Sequence, residues 1–364
     1  MTNDIPRRKD GGIKFSFRPS TEEELKACLS DPLWRICSGA LYKIIIKGDD
    51  DKDGLIMEFK PNRAQKRLIA SLWHRNVILK ARQLGFTTLV CIIWLDTALF
   101  SENVRCGIIA QDREAAEAIF RDKVKFAYQN LPELLRLKMP LARDSASELL
   151  FAHNNSSIRV ATSMRSGTIH RLHVSEFGKI CAKYPDKAVE VITGSIPAVP
   201  LNGILIIEST AEGQEGEFYN ITQRAKALFD AGTELSMRDY RYHFFAWWDE
   251  PKYVMPLGNI KFTDKDVAYF ERIEAQINRQ LTIEQRAWYI ATRDADFSGS
   301  EEKMWQEYPS TPEEAFQKST EGCYYTEQLT KARKENRIST VPHVEGVPVN
   351  TFWDIGSSDG TAIW

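Results

Sequence analysis

From Asn76 onward, short apolar runs alternate with longer amphipathic stretches. "NVILK", "VRCGIIA", "RLHVSEF", "GILIIESTAEG" and "YRYHFFAWW" are rich in branched and aromatic residues and too short for helices, so each is a predicted strand. Between them, Thr87 to Phe100 and "DREAAEAIFRDKVKFAYQNL" carry helical spacing, the second begun by Asp112 and closed near Pro132. "ELLFAHNNSSIRVATS" predicts a hairpin turning at Asn154 and Asn155. Strands separated by helices give an α/β fold whose mostly parallel sheet is covered on both faces.

The pattern differs at both ends. Residues 1 to about 20 are polar, and "PSTEEELKACLSDPLW" then predicts a helix capped by Ser20 or Thr21, with Glu24 reaching back. After Pro251 the chain becomes charged and helical, as in "DKDVAYFERIEAQINRQLTIEQRAWYIATRDA"; a mixed stretch "EYPSTPEEAFQKST" follows, and "EGVPVNTFWDIGSSDGTAIW" reads as a fresh β-hairpin. The expected organisation is an N-terminal helical or extended region over 1–60, an α/β domain over 61–250, a helical linker over 251–343, and the start of a further domain over 344–364. A single hairpin does not hold itself together in water, so this last domain is expected to be truncated.

Composition narrows the reading without directing it. Lys and Arg number 48 against 50 Asp and Glu, so any contact with a polyanion must be local. The six cysteines form no C-x-x-C pair and read as reduced core residues. The longest apolar run, near Leu89 to Leu95, falls far short of the roughly 20 residues a membrane span requires. The N-terminus carries no apolar signal core. A soluble intracellular protein is expected.

The chemistry concentrates in "KARQLGFTT". A phosphate loop joins a strand to a helix through a glycine turn, aims backbone N–H groups at phosphates, and adds a lysine and a Mg²⁺-holding hydroxyl. Here Gln83, Leu84, Gly85, Phe86, Thr87 and Thr88 would form the loop and its helix start, with Thr87 as the metal-holding hydroxyl. Phe86 occupies the usual lysine position. The cation is expected at the start of the loop instead, as Lys80 or Arg82. "RLHVSEFGK" ends a strand at Ser175 and Glu176; the glutamate is placed to polarise an attacking water, and Ser175, standing where a first acid is usual, to contact a metal-bound water. "LIIESTAEG" ends in Ser209 and Thr210, a polar strand end able to sense a terminal phosphate, and Gln65 precedes the loop by one helix, as base-reading glutamines do.

This ordered set resembles the large subunit of tailed-phage terminases, across roughly residues 60–364. The segments carrying the resemblance are "KARQLGFTT", "HRLHVSEFGK", "ESTAEGQEGEFY", "EYPSTPEEAFQ" and "FWDIGSSDGTAIW". It implies a P-loop NTPase of the ASCE/RecA-like kind that uses ATP and Mg²⁺ to move double-stranded DNA into a procapsid, followed by a small helical linker and the first hairpin of an RNase H-like nuclease. It implies that Lys80 or Arg82 contacts the phosphates, that Thr87 holds Mg²⁺ and that Glu176 activates water. Asp354 would be the first ligand of two nuclease metals, Mg²⁺ or Mn²⁺; Asp359 could assist it, or serve as a turn residue before Gly360, the reading its place before a glycine favours. The remaining nuclease acids would lie beyond Trp364, so this chain is not expected to cut DNA alone. Portal protein, terminase small subunit and further copies in a ring are the implied partners, in the cytoplasm of a bacterial host. Arg165 and Arg171 are weak candidates for contact with the DNA backbone. Two alternatives stay open, a superfamily 2-like helicase and a degenerate prophage remnant that binds without turnover.

Overall fold

The computed structural model describes residues 5–46, 54–165 and 167–317, with short stretches between 328 and 363. The chain divides into two compact units, Met1–Lys318 and Ser319–Trp364. The first opens with helices α1 (Glu22–Ser30) and α2 (Pro32–Cys37) and an antiparallel strand pair, β1 (Lys43–Ile46) and β2 (Leu55–Glu58). Thr21 caps α1, and the Glu24 carboxylate accepts from the backbone N–H groups of Ser20 and Thr21. Arg35 of α2 forks onto Asp96 at 2.8 and 2.7 Å, and the Tyr42 hydroxyl donates to the same carboxylate. That buried network pins the N-terminal elements to the sheet-covering helix that carries Asp96.

The remaining strands are β3 (Arg75–Lys80), β4 (Arg105–Ile109), β5 (Leu141–Asp144), β6 (Glu148–Phe151), β7 (Ser157–Ala161), β8 (Arg171–Ser175), β9 (Ile204–Ser209) and β10 (Tyr240–Phe245). They form one sheet in the order β10-β3-β9-β8-β4-β7-β6-β5. Neighbours from β10 to β7 run parallel, and β6 and β5 close the far side antiparallel. The predicted hairpin is the β6–β7 pair, with Asn155 at φ 55° in its turn, and β7 also joins β4 in the parallel ladder. The strands β1, β2 and β5 are absent from the pattern-based reading. "LARD" has no apolar alternation and becomes a strand only because β6 lies beside it.

Around the sheet lie α3 (Arg63–Ala70), α4 (Phe86–Phe100) and α5 (Arg113–Ile119), the last continuing through a π-helical segment, Phe120–Lys125, into α6 (Phe126–Gln129). Then come α7 (Glu133–Lys138), α8 (Phe177–Lys183), α9 (Pro185–Glu190) and α10 (Glu217–Asp230). Alternation along the strands sorts the core into two layers. Ile78, Ile108 and Ile206 pack with α4, while Val77, Leu79, Val174 and Ile207 pack with residues of α8 and α10. The helices α11 (Asp264–Ile277), α12 (Ile283–Asp296), α13 (Glu301–Glu307) and α14 (Pro312–Ala315) follow. Phe270, Tyr289 and Met304 bring three of them into the α4 layer.

Both outer strands are guarded. At β10, Arg67 donates to the Phe244 carbonyl and lies over the Phe245 ring, and Arg241 reaches the Ser71 carbonyl across Trp73. At the other side β5 is short, exposed and bulged between Leu141 and Arg143, with Asp144 paired to Lys125. In the second unit, β11 (Trp353–Asp354) and β12 (Ala362–Ile363) pair antiparallel. The turn expected between them, with Asp359, lies outside the described residues. Among the described residues no helix is long and apolar enough to cross a membrane.

Candidate active site

The carboxyl ends of β3, β9 and β8 lie side by side, with β9 between the strand that feeds the glycine loop and the strand that ends at Ser175. In a parallel sheet this rim is where ligands bind, because the helix N-termini that follow the strands point their free N–H groups there. Gly85, at φ 76°, caps α4, and Gln83 also takes a left-handed conformation at φ 58°. Together they turn the chain from strand to helix within a few residues.

The loop is braced from below. The Gln65 amide donates to the Gly85 carbonyl at 2.7 Å while its oxygen accepts from the Asn62 N–H, and the Asn62 side chain donates to the Leu84 carbonyl. Gln65 is buried, and its amide holds the loop. Phe86 points away from the rim: fully buried, its ring lies 4.5 Å from that of Phe245. The position that commonly carries the phosphate lysine is thus a core position here.

The cation sits at the start of the loop. Lys80 is the last residue of β3, on the face of Ile78 that looks toward α4, and only 5% of it is exposed. Its ammonium lies 3.0 Å from Glu176 Oε1 and 3.1 Å from Glu208 Oε2. Burial disfavours the charge, but Glu208 and then Glu176 more than compensate and raise the Lys80 pKa. Arg82 is placed differently. Its side chain is half exposed and meets Glu307 at 3.6 Å, its N–H donates to the Glu307 carbonyl, and its own carbonyl accepts from the Tyr253 hydroxyl. Of the two candidate cations, the geometry brings Lys80 into the rim.

Glu176 caps α8 in a left-handed conformation, φ 52° and ψ 47°, which a non-glycine residue holds only where the surroundings impose it. Its Oε2 makes no hydrogen bond. Ser175 is buried and donates to Glu208 Oε1 at 2.8 Å, and the Thr87 hydroxyl donates to the same oxygen at 2.9 Å. Thr88 accepts from Lys123. Ser209 and Thr210 are buried at the end of β9 with hydroxyls that lack a partner.

Glu208 is the residue that the sequence reading misses. It is fully buried, opposite Ser175 on β8 and Ile78 on β3, and His173 Nε2 lies 3.3 Å from its Oε1. Burial alone would raise its pKa; the Lys80 charge, then His173 and the Ser175 hydroxyl, hold it well below the usual carboxylate range. A signal was present. A glutamate inside the apolar run "GILIIES" is costly to bury unless something pairs with it.

Other candidates lie elsewhere. Arg171 begins β8, at the opposite end of the strand from Ser175, and Arg165 pairs with Glu190. Asp354 belongs to the second unit. Two cavities of about 490 and 990 Å³ open beside β10 and α11, among residues such as Trp248, Arg272, Trp73 and Arg241, and do not include the loop. The strand-end cluster brings the Lys80 ammonium, the Glu176 and Glu208 carboxylates and the Ser175 and Thr87 hydroxyls together at the rim.

No protein-family model matches the chain, and no curated protein matches it. Among solved structures, the large terminase ATPase domain of Thermus phage P74-26 is similar at 17% identity over 69% of this chain and 94% of that one, with a TM-score of 0.44. The large terminase of bacteriophage HK97 is similar at 15% identity over 76% of this chain, with a TM-score of 0.49, and this chain covers 54% of it. The Hef helicase domain of Pyrococcus furiosus is similar at 15% identity, 76% and 55% coverage, and a TM-score of 0.34.

Proposed function

We propose that this chain is an ATP-hydrolysing motor of the large-terminase kind, which moves double-stranded DNA. The observation that carries the reading is the convergence of Lys80, Glu176, Glu208, Ser175 and Thr87 on one rim beside the Gly85 turn. Lys80 and the N–H groups at the start of α4 would bind the phosphates, and Glu176 would accept a proton from the attacking water as general base.

The residues fit a nucleotide-borne Mg²⁺. Among the described residues no group of three or more His, Cys, Asp or Glu could hold a metal alone. Mg²⁺ that arrives on phosphates needs only one or two protein oxygens, and Thr87 stands at the loop's end with its hydroxyl inside the polar cluster. The bound ion would supply charge neutralisation on the phosphate oxygens. The Gln65 brace fixes the loop that meets them. The Thr210 hydroxyl, buried just past β9 without a hydrogen bond, would respond to a terminal phosphate, whereas the Ser209 hydroxyl lies beside Gly178 of α8, on the other face of the sheet from Lys80.

Portal protein, a small subunit and further copies of the chain in a ring complete the proposal, with DNA gripped through its backbone and not its bases. Asp354 would contribute the first acid of a two-metal nuclease in the second unit. The test is Mg²⁺-dependent ATP hydrolysis with and without double-stranded DNA. Turnover stimulated by DNA supports the motor. Nucleotide binding without turnover, under both conditions, would favour a degenerate binding protein, and strand separation coupled to turnover would favour a helicase.

A further inference from the structure

Ser175 stands where an acid commonly anchors the nucleotide's metal, and a hydroxyl alone brings no charge to a divalent ion. The missing charge is one strand away. Glu208 on β9 faces the same side of the sheet, in register with Ser175, and its Oε1 collects the hydroxyls of both Ser175 and Thr87. We propose that Glu208 replaces the absent acid on β8 and, with Thr87, holds the Mg²⁺ of the bound nucleotide, either directly or through one water. This rests on the nucleotide-binding reading above.

Three observations support it. Lys80 is shared by two carboxylates, Glu176 and Glu208; Glu176 also meets the Lys179 ammonium at 3.7 Å, whereas Glu208 has the His173 imidazole at 3.3 Å beside it. When phosphates compete for Lys80, a divalent ion would match the Glu208 charge left in the core, and buried charge is retained only where it is matched. Glu208 is also 0% exposed, and among the described residues its Oε2 pairs with Lys80, so an oxygen would become free for a new partner when phosphates compete for the lysine. Finally, the two hydroxyls on Oε1 hold the carboxylate in one orientation, and such supporting hydrogen bonds set ligand geometry at metal sites.

The decisive measurement is the affinity of a non-hydrolysable fluorescent ATP analogue with Mg²⁺ and with EDTA, for the wild type, Glu208→Gln, Glu176→Gln and the exchange variant Ser175→Asp/Glu208→Gln. Mg²⁺ should tighten binding to the wild type and to Glu176→Gln. In Glu208→Gln that Mg²⁺-dependent gain should shrink at least about tenfold, the scale seen when groups supporting a metal site are removed, while binding in EDTA persists. The exchange variant, with its carboxylate returned to β8, should recover most of the gain. The inference is overturned by an unchanged Mg²⁺ gain in Glu208→Gln. It is equally overturned if the exchange variant folds, by circular dichroism, and binds in EDTA but shows no recovery. A wild type that binds no analogue at all would instead sink the nucleotide reading. Should Glu208→Gln not fold, Glu208→Asp decides: its shorter reach should weaken the Mg²⁺ gain with EDTA binding intact, and an undiminished gain rejects the idea.

Discussion

Glu176 is the residue with the most to lose from a small change. It sits at φ 52° with one oxygen on Lys80 and the other free of hydrogen bonds, 3.7 Å from the Lys179 ammonium, a geometry that would suit proton acceptance. Glu176→Gln should therefore lower ATP turnover about 10²- to 10⁴-fold, as removal of a positioned base does, with analogue binding retained; normal turnover would mean that another group is the base. Lys80→Ala should lose both binding and rate, whereas Arg82→Ala, whose half-exposed side chain pairs with Glu307, should change either by a few-fold at most in the same assay. At this scale the sequence was legible wherever a residue ends a strand, as Lys80, Ser175 and Glu176 do. Glu208 was not legible, because its role depends on which strand becomes the neighbour of β8, and that is a property of the sheet order.

The strand–loop–helix element explains why the loop departs from the common pattern. Phe86 is a core residue packed on Phe245, so supplying the usual lysine there should harm the protein. Phe86→Lys trades a buried ring, worth about 3–5 kcal/mol, for a charge; a lowered melting temperature is expected, and no recovery of binding when combined with Lys80→Ala. Gly85→Ala is strained for two reasons. Its φ of 76° disfavours a side chain, and the added methyl would lie 2.8 Å from the Gln65 amide nitrogen. The cost should be about 1–2 kcal/mol from the backbone alone, read as weaker analogue binding and a lower melting temperature. Periodicity revealed the parallel strands and the β6–β7 hairpin because their burial is set by the sheet faces. It missed β1, β2 and β5, since β5 follows only from pairing with β6, and β2 is exposed along its whole length.

For the molecule as a whole, the C-terminal helices do more than follow the sheet. Glu307 of α13, with Tyr253 from the segment before α11, holds the backbone of Arg82 at the start of the loop, and Tyr269 of α11 with Ser310, just before α14, encloses Glu314. Burial pushes the Glu314 carboxyl up to about 6, against the pull of its Tyr269 and Ser310 hydrogen bonds. Its folded pKa lies above the unfolded value, so the folded state binds the proton more tightly. That stabilisation is complete below about pH 4.5 and is lost as pH rises through about 6, up to about 2 kcal/mol in size. Melting temperatures of wild type and Glu314→Gln across that window should show the difference between them shifting toward the variant as pH rises; a constant difference would mean that Glu314 keeps an ordinary pKa. Binding to DNA by a backbone-gripping motor should weaken steeply with salt and be indifferent to base sequence, measured by titration against unrelated duplexes. The guarded outer strands carry a last consequence. With the Phe244 carbonyl already taken by Arg67, and β5 short, charged and bulged, both margins are poor templates for a neighbour's strand. If copies assemble into the proposed ring around DNA, they would therefore meet through side-chain surfaces, which can slide and re-form, instead of fusing into a continuous sheet that would lock the assembly in place.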